Sequence, residues 1–250
     1  MMDPTATQSI QQHTFGKSFL LHITPGILVT VAFLVLKPML DSTGYPPLLA
    51  FLLAVLLIDI PFMLGIMLNE GKKLNGRYNL SGVVLYREKV SWKTFAGVFV
   101  AAFVVLYLLI MLTTPLSSVL AESVFSWLPQ WFFFDDAVQY EGYAKNTLVL
   151  VFILQLLITG IFLPWVEELY FRGYLMPRIS RYEKWAPLIG GFFFGLYHVW
   201  QLFGFVGVFL LGAGLGYVVW WKKDVRLGIG LHVFANALIR VFLLLGVLAS

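Results

Sequence analysis

The sequence predicts an all-α polytopic membrane bundle of about seven to eight transmembrane helices, and three observations carry that expectation. Hydrophobic residues make up 60% of the chain and charged residues only 12%, too little polar surface to close around a water-soluble core. The charges gather in short loops between apolar runs long enough to cross a bilayer. One run, Trp185 to Trp221, has no Lys, Arg, Asp or Glu over 37 residues. As a single helix it would be ~55 Å long against a hydrocarbon core of ~30 Å, so it must be two spans.

The elements follow in order. Residues 1–16 form a polar N-terminal tail without a basic n-region or a cleavage-site pattern, so no cleaved signal peptide is expected. Residues 17–146 read as N-terminal transmembrane helices and an interfacial loop. The first span is Phe19 to Leu36, with Pro25 and Gly26 marking a bend; the second, Leu48 to Leu68, carries an intramembrane acid, Asp59, read mainly as structural. A basic loop from Asn69 to Lys93 precedes a third span, Phe95 to Leu112. The connection that follows is acidic and aromatic, with Glu122, Asp135, Asp136 and Glu141 among many Trp, Phe and Tyr residues. It fits an interfacial or re-entrant segment on the outer face, in preference to a lid.

The fourth span, Thr147 to Val166, runs into Trp165–Leu175, WVEELYFRGYL, and a basic turn at Arg178, Arg181 and Lys184. Spans five and six turn near Gln201 to Gly204, and a last basic loop, Lys222 to Arg226, leads into span seven, Leu227 to Leu248. The three basic loops then share one side, which puts the N-terminus in the cytoplasm and the C-terminus outside. This topology accounts for the net charge of +4 without a nucleic-acid partner. With no cysteine, disulfides, thiolate metal sites and a cysteine nucleophile are excluded.

Chemistry concentrates in the second half. Glu167, Glu168 and Arg172 end span four, Phe194 and His198 sit in span five, and His232, Asn236 and Arg240 in span seven. Helical spacing pairs Glu168 with Arg172, stacks Phe194 beside His198 and aims His232 with Asn236, while Glu167, about 100° further round, is left to face elsewhere. Glu167 lies 15 residues before Tyr182 and His198 16 after it, so the two are level in a hairpin. A buried carboxylate with an imidazole takes a proton from water, and a second imidazole with a carboxamide donates to the oxyanion formed at a peptide carbonyl. Alternatively Glu167, His198 and His232 are a zinc ligand set with an open water position. Both lead to amide hydrolysis. Any one of these residues alone reads as a helix-packing group, as His22 does; their combination in a chain so poor in charge is what points to a site.

At these residues the sequence resembles the intramembrane CAAX-prenyl-endopeptidase and bacteriocin-processing family, CPBP or Abi, whose motifs are EExxxR, FxxxH and HxxxN or HxxxD. They read here EELYFR (Glu167 to Arg172), FGLYH (Phe194 to His198) and HVFAN (His232 to Asn236). The extended form EELYFRGYL is similar to the bacterial branch. The resemblance implies a catalytic transmembrane core over residues 147–250 in a bacterial cytoplasmic membrane, acting on a membrane protein or lipidated peptide in the bilayer. It implies that Glu167 activates water, His198 assists proton transfer, and His232 with Asn236 stabilises the oxyanion, supported by Glu168, Arg172 and Phe194. Family members are generally called metalloproteases, yet the glutamate mechanism does not require a divalent metal. Prenyl-protein endopeptidases of the family have eight membrane helices, against the seven read here. A proton-coupled transporter, or a non-catalytic immunity or binding scaffold of the same fold, are the competing readings; the absence of an inverted repeat argues against the first and the intact motifs against the second. Arg240 is expected to pair with Asp59 or to meet a substrate carboxylate.

Overall fold

A computed structural model describes residues 10–134 and 140–249, and within them the chain is helical, with no β-strand. Seven helices follow one another: α1 (Phe15–Leu40), α2 (Pro47–Asn75), α3 (Trp92–Ser123), α4 (residues 145–175), α5 (Ala186–Tyr197), α6 (Phe205–Lys222) and α7 (Val225–Ala249). Six stretches are long and apolar enough to cross a membrane, because α4 and α5 form one 53-residue stretch, Lys145–Tyr197. The backbone leaves helical geometry inside it, at Ile179 and Glu183, so the hairpin expected around Tyr182 is present. Its second arm differs from the expected span. With 12 residues, α5 is ~18 Å long, shorter than the hydrocarbon core, and the chain turns back through Val199–Gly204.

The third helix is longer than its apolar run, continuing through Pro115 to Ser123. Thr113, Thr114, Ser117 and Ser118 each donate to a carbonyl of their own helix, which hides the hydroxyls that made this stretch read as a connection. The aromatic connection then folds back. Phe132 and Phe134 are buried, with Phe134 stacked on Phe51 at 4.5 Å between ring centroids. Asp135 and Asp136 lie outside the described residues.

Three helical turns are widened into π geometry, Val55–Asp59, Leu156–Phe162 and Glu168–Leu175. Each ends two residues before a proline, Pro61, Pro164 and Pro177. Proline has no N–H to donate and its ring crowds the carbonyl four residues back, so the helix opens there and frees main-chain acceptors.

The three basic loops meet at one end of the bundle. Val225 N donates to Tyr86 O (2.8 Å), Glu88 N to Lys223 O (2.9 Å) and Leu85 N to Gly173 O (2.8 Å). Asp224, fully buried, accepts from Arg226 and from Val90 N. The N-terminal strap docks at the same end: His13 N donates to Arg178 O (2.7 Å), and Gln12 reaches Pro177 O and Ser180 Oγ. Burial, then the charges of Lys17 and Arg178, lower the His13 imidazole from 6.5 to about 4. The docked strap therefore binds fewer protons than the free one, and docking is strongest above pH 6.5 and weakens as pH falls toward about 4. The protection of residues 10–16 from hydrogen exchange, relative to the intrinsic rate at each pH, is expected to fall across that window in the wild type and to stay constant in His13→Gln.

Candidate active site

Glu167, Glu168, Arg172, His198 and His232 are all buried. The π turn beginning at Glu168 keeps the i, i+4 approach: Arg172 Nη1 donates to Glu168 Oε1 at 2.7 Å. Its Nη2 donates to Gly212 O at 3.0 Å, and the guanidinium lies 4.3 Å from the centroid of Phe194. Use of two edges of a planar cation, with a ring below it, satisfies a charge that lipid does not solvate. Phe194 therefore serves Arg172 as well as His198, whose ring centroid is 4.7 Å away, edge-on.

Glu168 Oε1 takes a second donor, His232 Nδ1, at 2.9 Å. The same imidazole presents Nε2 to Glu167, 3.8 Å from Oε2. His232 thus bridges the adjacent glutamates, a link between α4 and α7 that helical spacing alone does not reveal. Glycine at position 228 makes room, since a Cβ there would stand 2.5 Å from Glu168 Oε2. Glu167 keeps one buried oxygen, Oε1, without a hydrogen-bond partner.

His198 terminates α5, with φ −76° and ψ 55°. Its Nδ1 lies 2.8 Å from Phe194 O, so Nδ1 carries the hydrogen and Nε2 is the bare nitrogen of the neutral ring. Asn236 Nδ2 donates to Thr159 O at 3.4 Å. That carbonyl is free because its π-helical partner is Pro164, which has no hydrogen to give. The bulge in α4 orients the carboxamide of α7.

Glu167, His198, His232 and Asn236 line one cavity of about 340 Å³, with Phe194 and Arg240 also on its wall. Glu168 and Arg172 stand behind it. Residues of the N-terminal half complete the enclosure, among them Phe51, Phe103, Leu106 and Phe134. Phe134 brings the aromatic connection to the cavity wall. One expectation changes. Asp59 accepts from the Tyr197 hydroxyl, and no ion pair joins it to Arg240 among the described residues. Among the described residues no group of three His, Asp or Glu side chains stands close enough together to hold a metal ion. Sequence reasoning missed Tyr197, Thr159 and Trp200, whose ring is 4.9 Å from that of His198; the prolines were the signal for Thr159.

A largely apolar cavity with Glu167 on its wall, enclosed by helices long and apolar enough to cross a membrane, belongs to an integral membrane protein. Residues 149–238 match the family model described as type II CAAX prenyl endopeptidase, Rce1-like, and the matched segment contains all three motifs. The match supports an intramembrane endopeptidase of the CAAX protease type, with a lipid bilayer around it and a protein or peptide as substrate. No curated protein and no solved structure matches the chain.

Proposed function

We propose that the chain hydrolyses a peptide bond of a membrane-associated or lipidated protein or peptide, using water activated by Glu167. The observation that carries this reading is the buried, unpartnered Glu167 Oε1 on the wall of a cavity shared with His198, His232 and Asn236. Water entering there gives one hydrogen to Glu167 and directs the other to the bare Nε2 of His198. Its oxygen attacks the peptide carbonyl, and the carbonyl oxygen becomes an oxyanion. Asn236 spends one amide hydrogen on Thr159 O and keeps the other for that oxyanion.

His232 donates Nδ1–H to Glu168, and in its protonated form Nε2–H is the second donor. The proton held by Glu167 then passes to the amide nitrogen, the C–N bond breaks, and a carboxylic acid and an amine leave. Glu168 and Arg172 touch no reacting atom in this scheme; they hold His232 and the α4 backbone.

Residues 147–250 are the catalytic core on this reading, with walls lent by residues 17–146. The joined basic loops support a shared cytoplasmic side and hence a cytoplasmic N-terminus and an outer C-terminus; the EELYFRGYL pattern supports a bacterial cytoplasmic membrane. The test uses the purified chain in phosphatidylcholine vesicles, with a library of single-span peptides presented with and without a C-terminal prenyl group. Wild-type protein is expected to cleave a subset that Glu167→Gln does not. Proton-coupled flux through the same vesicles without cleavage would replace the enzyme reading by a transporter.

A further inference from the structure

The cavity that holds Glu167 has an annex. A second cavity of about 250 Å³ adjoins it, and the two share three wall residues, Phe134, Trp200 and Gln201. Alone it falls below the ~300–1,000 Å³ usual for a ligand site, so it is better described as an extension of the first cavity than as a separate site. Its far wall is formed by the last turns of α3, with Thr114 and Ser117, at the end of that helix away from the joined basic loops. Their hydroxyls donate to carbonyls of their own helix and keep lone pairs for an incoming N–H.

Two of the shared residues are packed rings. Phe134 stacks on Phe51 at 4.5 Å between centroids and Phe51 meets Trp200 at 5.2 Å, so these rings make the partition. Gln201 is the polar exception. Its N donates to His198 O at 2.9 Å and its backbone leaves helical geometry, with φ −143° and ψ 44°, which holds it three residues after the imidazole. Trp200, just before it, is pinned against Tyr197 and His198. The Gln201 side chain is half-buried, and among the described residues its carboxamide has no hydrogen-bond partner. A carboxamide offers N–H donors and a carbonyl acceptor, the complement of a peptide unit. A helical substrate has spent those main-chain groups on itself; an extended one presents them.

We propose that Gln201 is a substrate-binding residue: its carboxamide hydrogen-bonds the main chain of an extended peptide that runs from the Glu167 cavity past the Phe134–Trp200 partition into the second cavity. The proposal deepens the reading of the Glu167 cavity as a peptide-hydrolysing site and rests on it. The second cavity then holds residues on one side of the scissile bond, against Phe203 and the hydroxyls of α3. Substrates are selected for a stretch that gives up helical structure, since only such a stretch has main-chain groups to offer Gln201.

The test measures binding, in phosphatidylcholine vesicles, of a fluorescently labelled library peptide to Glu167→Gln, which does not turn it over. Adding Gln201→Met, a change of similar size that breaks no hydrogen bond of the fold, is expected to leave the thermal midpoint in place and to raise Kd about three- to tenfold. Analogues of the peptide with one amide replaced by an ester, which removes an N–H and weakens a C=O, are expected to bind Glu167→Gln more weakly by a similar factor at one or two adjacent positions. At those positions the ester is expected to cost nothing once Gln201 is Met. Ser117→Phe, which narrows the second cavity, is expected to weaken binding of the full peptide more than of peptides truncated on the side that enters it. Ester analogues that behave alike with Gln and with Met at position 201, or a Ser117→Phe effect independent of peptide length, would overturn the proposal. A Gln201-dependent ester position, in a protein whose wild type cleaves no library peptide, would overturn the hydrolytic reading and leave the binding site standing.

Discussion

Glu167→Gln is expected to lower the rate of peptide cleavage by about 10² to 10⁴-fold, the range that a positioned base supplies, with the bundle still folded. The two properties separate because of where this side chain stands. Glu167 Oε1 has no partner, and Oε2 is 3.8 Å from His232 Nε2, beyond a direct hydrogen bond. A carboxamide of the same size removes the base and leaves no buried charge stranded. KM for the peptide is expected to stay within a few-fold of wild type, since the apolar wall that includes Phe103 and Leu106 is untouched. Initial-rate measurements on one cleaved library peptide, alongside thermal unfolding of the same preparations, check both halves.

Arg172→Met is expected to show the opposite pattern, a large loss of stability. The guanidinium is shared among Glu168 Oε1, Gly212 O and the face of Phe194. Its removal leaves the fully buried Glu168 with His232 as its only donor. Breaking one side of a buried pair costs about 3–5 kcal/mol. Replacing Glu168 at the same time removes the stranded charge, so Glu168→Gln with Arg172→Met is expected to unfold later than Arg172→Met alone. Unfolding midpoints of the two variants in one detergent decide it, and a double variant less stable than the single would mean that the pair is not what Arg172 contributes.

The architecture was legible because charge is scarce: runs without Lys, Arg, Asp or Glu mark helices, and the few charges within them mark the site. Pairing of Glu168 with Arg172 follows from spacing that survives the change from α to π geometry. The hairpin around Tyr182 followed from counting residues on either side. What spacing along single helices does not encode is contact between helices. The bridge from His232 to both glutamates, the hold of Tyr197 on Asp59 and the return of Phe134 to the cavity depend on how α2, α4, α5 and α7 pack. Arg240 was read against Asp59 because both are lone charges in spans; packing gave Asp59 to a tyrosine, a residue whose hydroxyl is easily overlooked among so many aromatics. The prolines were visible all along. Pro61, Pro164 and Pro177 each follow a widened turn that carries a site residue, Asp59, Thr159 or Glu168, so the residues that disturb helices here are the ones that aim the polar groups.

The central claim is that water, and not an enzyme side chain, attacks the peptide carbonyl with Glu167 as its base. A single turnover in ¹⁸O-labelled water tests it most directly, with mass spectrometry of the new C-terminal carboxyl group on the released peptide. Direct attack predicts one ¹⁸O atom in that carboxyl on the first turnover. A first-turnover product carrying only ¹⁶O, with the label appearing in later turnovers, would mean that Glu167 forms an anhydride with the substrate and would contradict the account.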